Sequence, residues 1–423
     1  LPRIEEIINM NARFRIFFWI RVTSIPLLIL FVFGCEANGP YEVKYYYTST
    51  DDGLTLSLRR YKPERLSQDK NPVILCHGFS YNLLFWDLDE KVSLPRYLAK
   101  RGYDVWSLSL RGSCPSSQPL NSSFRRLTRF NIHPETLKTL KNRVVTDIKM
   151  KDWSVDDHIQ FDVPAAIRFV CEKTNHQKVH WIGHSLGGMI MFAYLEQQAQ
   201  HAETVKSFVA IAAPMTVFHP LNKPFKFLLD IEFAIKAGAK VVGTSAPATW
   251  GAIFGNLNTP MDKLFYNNKN MEGGILRSLF YRAEEEMGTK QRLQLMHMVK
   301  TEQFASLDQS MDYTANLAKV TAPTFLLCGT VDNMATVGAV KYTYRQIQSE
   351  DKRFRMFGRV NSHKNDYGHN DLVIGEHAKK EVYPTILDWL DEHSCLPHEM
   401  ELMLKPGSPV TESISGKSGK KSQ

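Results

Sequence analysis

Five short, continuous apolar runs recur along the chain with helix-patterned stretches between them: Val73–Cys76, Tyr103–Leu108, Val179–Ile182, Phe208–Ala212 and Thr324–Cys328. A strand that is apolar on both faces is stable only where both faces are covered, so the alternation predicts a mostly parallel central sheet with helices on either side. Ahead of these runs, VKYYYTST and LTLSLRRY flank Asp52-Gly53 and predict a hairpin over Val43–Tyr61. A basic strand around Phe354–Phe357 and an amphipathic helix near Ala378–His393 close the pattern. The fold class is therefore α/β. A hydrophobic content of 43% excludes disorder for the bulk of the 423 residues. Six Cys without a C-x-x-C pair exclude a disulfide-dense scaffold and the common structural zinc patterns.

The alternation has one gap. Between Pro214 and Pro323 lie 108 residues with helical patterning and no convincing strand. A structureless loop of that length would contradict the assignment, whereas an inserted helical cap satisfies it. The expected organisation is an export segment (1–34), a first core part (41–214), the cap (215–320), a second core part (321–395) and a polar tail (396–423). The cap carries Phe225, Phe227, Leu228, Leu229, Phe233, Trp250, Phe254, Phe265 and Phe280. These suit a lid over an acyl chain, and they suit the cap's own core equally.

Within Lys178–Leu195 an apolar strand runs into Gly183-His184-Ser185-Leu186-Gly187, and an apolar helix follows at once. Two glycines let a strand reverse into a helix through a strained turn, leaving Ser185 Oγ exposed at the helix start. There the Leu186 N–H can face a developing oxyanion. A second donor is expected from the loop after Val73–Cys76, where Gly78 permits a sharp turn and Phe79 offers its N–H. His77 precedes the nucleophile and reads as a residue that fixes this loop.

A serine nucleophile needs a base, and the base needs an orienting acid. Asp332 follows the strand Thr324–Cys328, and parallel strands finish at one edge of the sheet, which puts it on the side of Ser185. Asp366 and Asp371 are its rivals. For the base, His369 stands after Gly368 and just before the last helix, with His363 as its rival.

In the order Ser185…Asp332…His369 the chain resembles the α/β-hydrolase superfamily over roughly residues 43–395. Two branches share its finer motifs. Tyr103-Asp-Val-Trp106, Leu110-Arg111-Gly112, Trp153-Ser-Val-Asp-Asp157 and Phe161-Asp-Val-Pro164 look like the acid lipases, although Leu186 stands where those commonly carry Gln. Tyr367-Gly-His369-Asn-Asp371-Leu372, Gly375, Val382-Tyr-Pro384 and Leu387-Asp-Trp389-Leu390 look like hydrolases related to polyhydroxyalkanoate synthases. Those synthases use Cys, so Ser185 argues for hydrolysis. The resemblance implies ester cleavage through an acyl-serine, with no metal and no cofactor, on a small-molecule or lipid ester. An acyltransferase or polyester depolymerase would use the same acyl-serine, and a non-catalytic binding protein of this fold is the alternative from another class.

The N-terminal stretch has its own reading. Arg13, Arg15 and Arg21 form a basic region after Met10, and Val22–Gly34 is an apolar run of 13 residues, the length of a signal peptide. Val32-Phe33-Gly34-Cys35 resembles a bacterial lipobox, which implies lipidation of Cys35; a secreted or signal-anchored chain is the alternative. Of the net charge of +8, residues 125–151 hold +6, with Arg125, Arg126 and Arg129 at their start. That stretch is expected either to rest on an anionic membrane surface or to be a solvated helical face. No recognition module for nucleic acid is present.

Overall fold

A computed structural model of the chain describes residues 40–67, 69–113, 116, 152–217, 262–285 and 287–394. The turn at residues 51–53 joins β1 (Tyr41–Ser49) to β2 (Thr55–Pro63) as an antiparallel pair, with Gly53 at φ 87° where a side chain would be strained. The remaining strands are β3 (Val73–Cys76), β4 (Val105–Ser109), β5 (Val179–His184), β6 (Val205–Ile211), β7 (Thr324–Gly329) and β8 (Lys352–Phe357). They form one sheet in the order β1-β2-β4-β3-β5-β6-β7-β8. From β4 to β8 every neighbouring pair is parallel, while β2 meets both β1 and β4 antiparallel.

The burial pattern follows the apolar runs. β3, β4, β5 and β7 are buried at every residue, as strands covered on both faces must be. The outer strands β1 and β8 are half-exposed and carry Lys, Arg and Glu, which discourages pairing with another chain along the sheet edge. Helices α1 (Leu94–Ala99), α2 (Val163–Thr174), α3 (Leu186–Gln197), α4 (Thr289–Thr301), α5 (Val337–Gln346) and α6 (Tyr383–Glu392) surround the sheet together with shorter turns. α3 is buried from Leu186 to Glu196, as its all-round apolar sequence requires.

The last helix departs from expectation in one respect. The stretch near Ala378–His393 is two helices, Ala378–Glu381 and α6, rather than one. Pro384 has no N–H to donate and is tolerated only in a first helical turn, so a new helix begins at Tyr383. Of the 215–320 segment, the described portion contains helices Asp262–Phe265, Gly273–Ser278 and α4, and its only β pairings among described residues are isolated bridges. The export segment 1–34, Cys35, the basic stretch 125–151, residues 218–261 of the expected cap and the tail 396–423 lie outside the described residues. Among those described, no helix is long and apolar enough to cross a membrane.

One buried polar network ties α4 to the core. Asp162 accepts from Arg111 Nε at 2.8 Å and from the Arg111 backbone N–H at 3.0 Å. His158 Nδ1 donates to the same carboxylate at 2.8 Å, and Gln291 of α4 donates to His158 Nε2 at 3.0 Å. Arg111 also reaches Asp52 with both terminal nitrogens. Removing one member of a buried charged set leaves the others uncompensated. Asp162→Ala is therefore expected to cost about 3–5 kcal/mol of stability, read as a lower denaturant midpoint in urea unfolding.

Candidate active site

Ser185 joins β5 to α3 with φ 52° and ψ −119°, a conformation that non-glycine residues rarely hold. Three contacts impose it. The Ser185 N–H is committed to Ile211 O at 2.8 Å, and its carbonyl already accepts from Gly188 and Met189 in the first turn of α3. Trp181 Nε1–H anchors that turn by donating to Gly187 O at 3.0 Å. The turn also packs without room for side chains: a Cβ on Gly187 would lie 2.2 Å from the Cys76 carbonyl oxygen, and one on Gly183 would lie 2.3 Å from Gly187 O. Leu186 is the first residue of α3, where backbone N–H groups have no acceptor within the helix.

Gly78 lies directly against this turn. A Cβ there would be 3.0 Å from Ser185 Cβ, so the loop after β3 meets the serine through bare backbone. The peptide joining Gly78 to Phe79 is held at its carbonyl end by His77 Nδ1–H at 2.9 Å, and His77 Nε2 accepts the Leu110 N–H at 3.3 Å. Burial lowers the His77 pKa to about 4, so the ring is neutral near neutral pH. The loop-fixing role expected of His77 is the one its contacts describe. Phe79, half-buried, carries the opposite end of that peptide, its N–H.

Asp332 follows β7 and is buried. Its Oδ1 accepts the N–H groups of Met334 and Ala335, each at 2.8 Å, and its Oδ2 accepts His369 Nδ1–H at 2.9 Å. These bonds fix the carboxylate and, through it, the tautomer of His369. The rival residues do other work. Asp366 accepts from Thr330 Oγ1 and the Arg359 N–H, both at 3.0 Å, and His363 Nδ1 sits on the Gly358 backbone.

Asp371 organises the loop that carries His369. Its carboxylate accepts the Gly368 N–H on both oxygens at 3.0 Å, the Asn267 N–H at 3.1 Å and Asn270 Nδ2 at 3.0 Å. Asn370 N–H donates to Phe265 O at 2.7 Å, and Asn267 Nδ2 donates to Asp366 O at 2.6 Å. Residues 265–270 thus form a splint for the His369 loop, which the sequence gives no sign of because the partners lie about 100 residues apart. The elbow meets the same loop through His184, whose Nε2–H donates to His369 O at 3.1 Å. Ser185, Asp332 and His369 are all buried. Among the described residues no group of three or more His, Cys, Asp or Glu is arranged to hold a metal ion.

Comparison with known proteins gives the family of the chain. Residues 71–366 match the family described as the alpha/beta hydrolase fold. Human "Lipase member M" is 26% identical over 381 residues, covering 83% of each chain. Rat "Gastric triacylglycerol lipase" is 28% identical over 209 residues, 48% of this chain and 47% of the rat protein. Among solved structures, an esterase from Exiguobacterium antarcticum superposes with a TM-score of 0.51 at 14% identity, over 82% of this chain and 98% of that one.

Two outcomes are expected from these contacts. Ser185→Gly relieves the strained φ and should raise stability by about 1–2 kcal/mol, measured by denaturant unfolding. Burial raises the Asp371 pKa from 3.8 to about 6. The folded carboxyl then keeps its proton to higher pH than the unfolded one, so its contribution to stability is full below about pH 4 and lost as pH rises through 6. Wild type should gain about 2 kcal/mol on Asp371→Asn as pH falls from 7 to 4, read from paired urea midpoints.

Proposed function

The chain belongs to the alpha/beta hydrolase fold family, and from that footing we propose that it is a serine hydrolase of carboxylic esters with apolar acyl groups. The observation that carries the reading is the convergence of three loops. A strained serine at a helix start, a bare glycine turn against it, and a histidine already bonded to a buried carboxylate all meet at one sheet edge. The lipase names of its relatives support an acyl ester as substrate.

In this mechanism Ser185 Oγ attacks the ester carbonyl while His369 Nε2 takes its proton. Asp332 holds the Nδ1–H and stabilises the imidazolium that results. The carbonyl oxygen, now an alkoxide, is met in this scheme by the N–H groups of Phe79 and Leu186, donors that a rigid turn supplies at little reorganisation cost. Collapse of the tetrahedral intermediate expels the alcohol, which leaves with the proton from His369. Water then gives a proton to His369, attacks the acyl-serine, and the acid departs as Ser185 recovers its hydrogen. His77 serves this scheme indirectly, by anchoring the carbonyl of the peptide whose N–H end is Phe79.

The reading also includes delivery to or across a membrane by residues 1–34, with lipidation at Cys35 as its lipoprotein form. Mass spectrometry of the mature N terminus decides this, since a mature chain that retains residues 1–34 ends the cleaved-signal reading and an unmodified Cys35 ends the lipidation reading.

For the chemistry, a fluorophosphonate probe should label wild type and leave Ser185→Ala unlabelled. Absence of label on wild type, or label that persists in the variant, would overturn the mechanism. Asp332→Asn should lower kcat by about 10³–10⁴-fold. His77→Phe should lower kcat by about tenfold or more with KM little changed. Rates on p-nitrophenyl esters of rising chain length test the preference for apolar acyl groups, and a preference for acetyl would refute it.

A further inference from the structure

Between Gly183 and Ser185 stands a histidine that the mechanism above leaves unused. His184 is fully buried. Its Nε2–H donates to the backbone carbonyl of His369 at 3.1 Å, and the two rings lie 4.8 Å apart. Phe85 stacks on His184 at 4.7 Å and Tyr81 stacks on Phe85 at 4.9 Å. The circuit closes where Asn370 Nδ2 donates to Tyr81 Oη at 2.7 Å. Four rings and two hydrogen bonds therefore link the loop after β3, the serine turn and the His369 loop.

The bonding of His184 is one-sided. Donation from Nε2 makes Nδ1 the lone-pair nitrogen, and that atom is buried without a hydrogen-bond partner. It faces Gly78, where a Cβ would come within 3.1 Å of it. Burial, reinforced by the neighbouring His369, holds the His184 pKa well below the usual histidine value, so the ring is neutral and adds no positive charge beside the imidazolium that forms on His369. A buried acceptor with no donor is a cost that an apolar side chain of similar size would avoid. What the imidazole supplies in return is a single N–H aimed at the backbone of His369.

From this geometry we propose that His184 is a positioning residue for His369: it fastens the backbone of the base to the turn that carries the nucleophile. Asp332 fixes the imidazole from its Nδ1 side, and His184 fixes the chain from which that imidazole hangs. The inference rests on the roles proposed for Ser185 and His369.

Three variants test it. His184→Leu fills the space without a donor. His184→Gln returns an N–H close to the position of Nε2. His184→Asn carries an amide too short to reach. Two readouts are taken: kcat and KM on a soluble short-chain ester, and the downfield proton resonance of His369 Nδ1–H, identified by its loss in Asp332→Ala. His184→Leu should lose about 10–100-fold in kcat with KM little changed, and its downfield resonance should broaden. His184→Gln should restore both towards wild type, and His184→Asn should behave like His184→Leu. A His184→Leu enzyme with wild-type kcat and a sharp resonance overturns the proposal, as does a His184→Gln enzyme no better than His184→Asn. The Gln and Asn pair decides the matter even where Leu prevents folding. The resonance is read on the resting protein, so a wild type that hydrolyses no ester would end the proposed function while the resonance still decides the role of His184.

Discussion

The backbone of Gly187 lies so close to the carbonyl of Cys76 that no side chain fits between them, and the candidate site depends on that contact. It brings the first turn of α3 against the end of β3, which leaves the chain no relaxed path from β5 into the helix. Ser185 absorbs the mismatch with a positive φ. The strain is sustained because both neighbours are immobilised, β5 by its place in the middle of the sheet and α3 by burial along nearly its whole length. A serine in a looser setting would relax, and its hydroxyl would have no fixed direction.

Around that turn the protein uses polar contacts to align loops and apolar contacts to hold layers. Asp332 spends one oxygen on two backbone N–H groups and the other on His369, so the carboxylate cannot swing away. Asp371 does for a whole loop what Asp332 does for one ring, gathering donors from Gly368, Asn267 and Asn270. Asp371 lies two residues from His369 and Asp332 lies 37 away, yet the distant carboxylate is the one bonded to the ring, because only Asp332 comes off the end of a sheet strand. Asp162 repeats the pattern further out, binding Arg111 and His158 in one buried set.

Much of the fold is legible in the amino-acid order because it depends on local pattern. The runs at Val73–Cys76 and Thr324–Cys328 coincide with β3 and β7 almost residue for residue, since a strand buried on both faces has little freedom in composition. The edge strand β8 is legible for the opposite reason, its alternation of charged and apolar residues. The restart of the last helix at Tyr383 is passed over by the amphipathic periodicity of 378–393, although Pro384 requires it. Ser185, Asp332 and His369 can be picked out because each follows a strand at the same edge. His184, Asn267 and Asn270 cannot: their partners lie 185, 104 and 101 residues away, and nothing in their immediate neighbours distinguishes them from filler. His184 is hidden further by its place in the G-x-S-x-G pattern, where the intervening positions are treated as free.

The same long separations bear on when this protein becomes complete. The serine turn is built from β3, β5, β6 and the start of α3, all of which lie before residue 212. The loop that meets it lies beyond residue 365, and the splint for that loop comes from residues 265–270. A chain still under synthesis therefore carries Ser185 for more than 180 further residues before His369 exists to face it. Contacts of such high sequence separation carry a larger loop-closure cost than local ones. Completion of the site is thus coupled to completion of the chain, and a truncated product ending between residues 212 and 368 would carry the serine turn without its histidine.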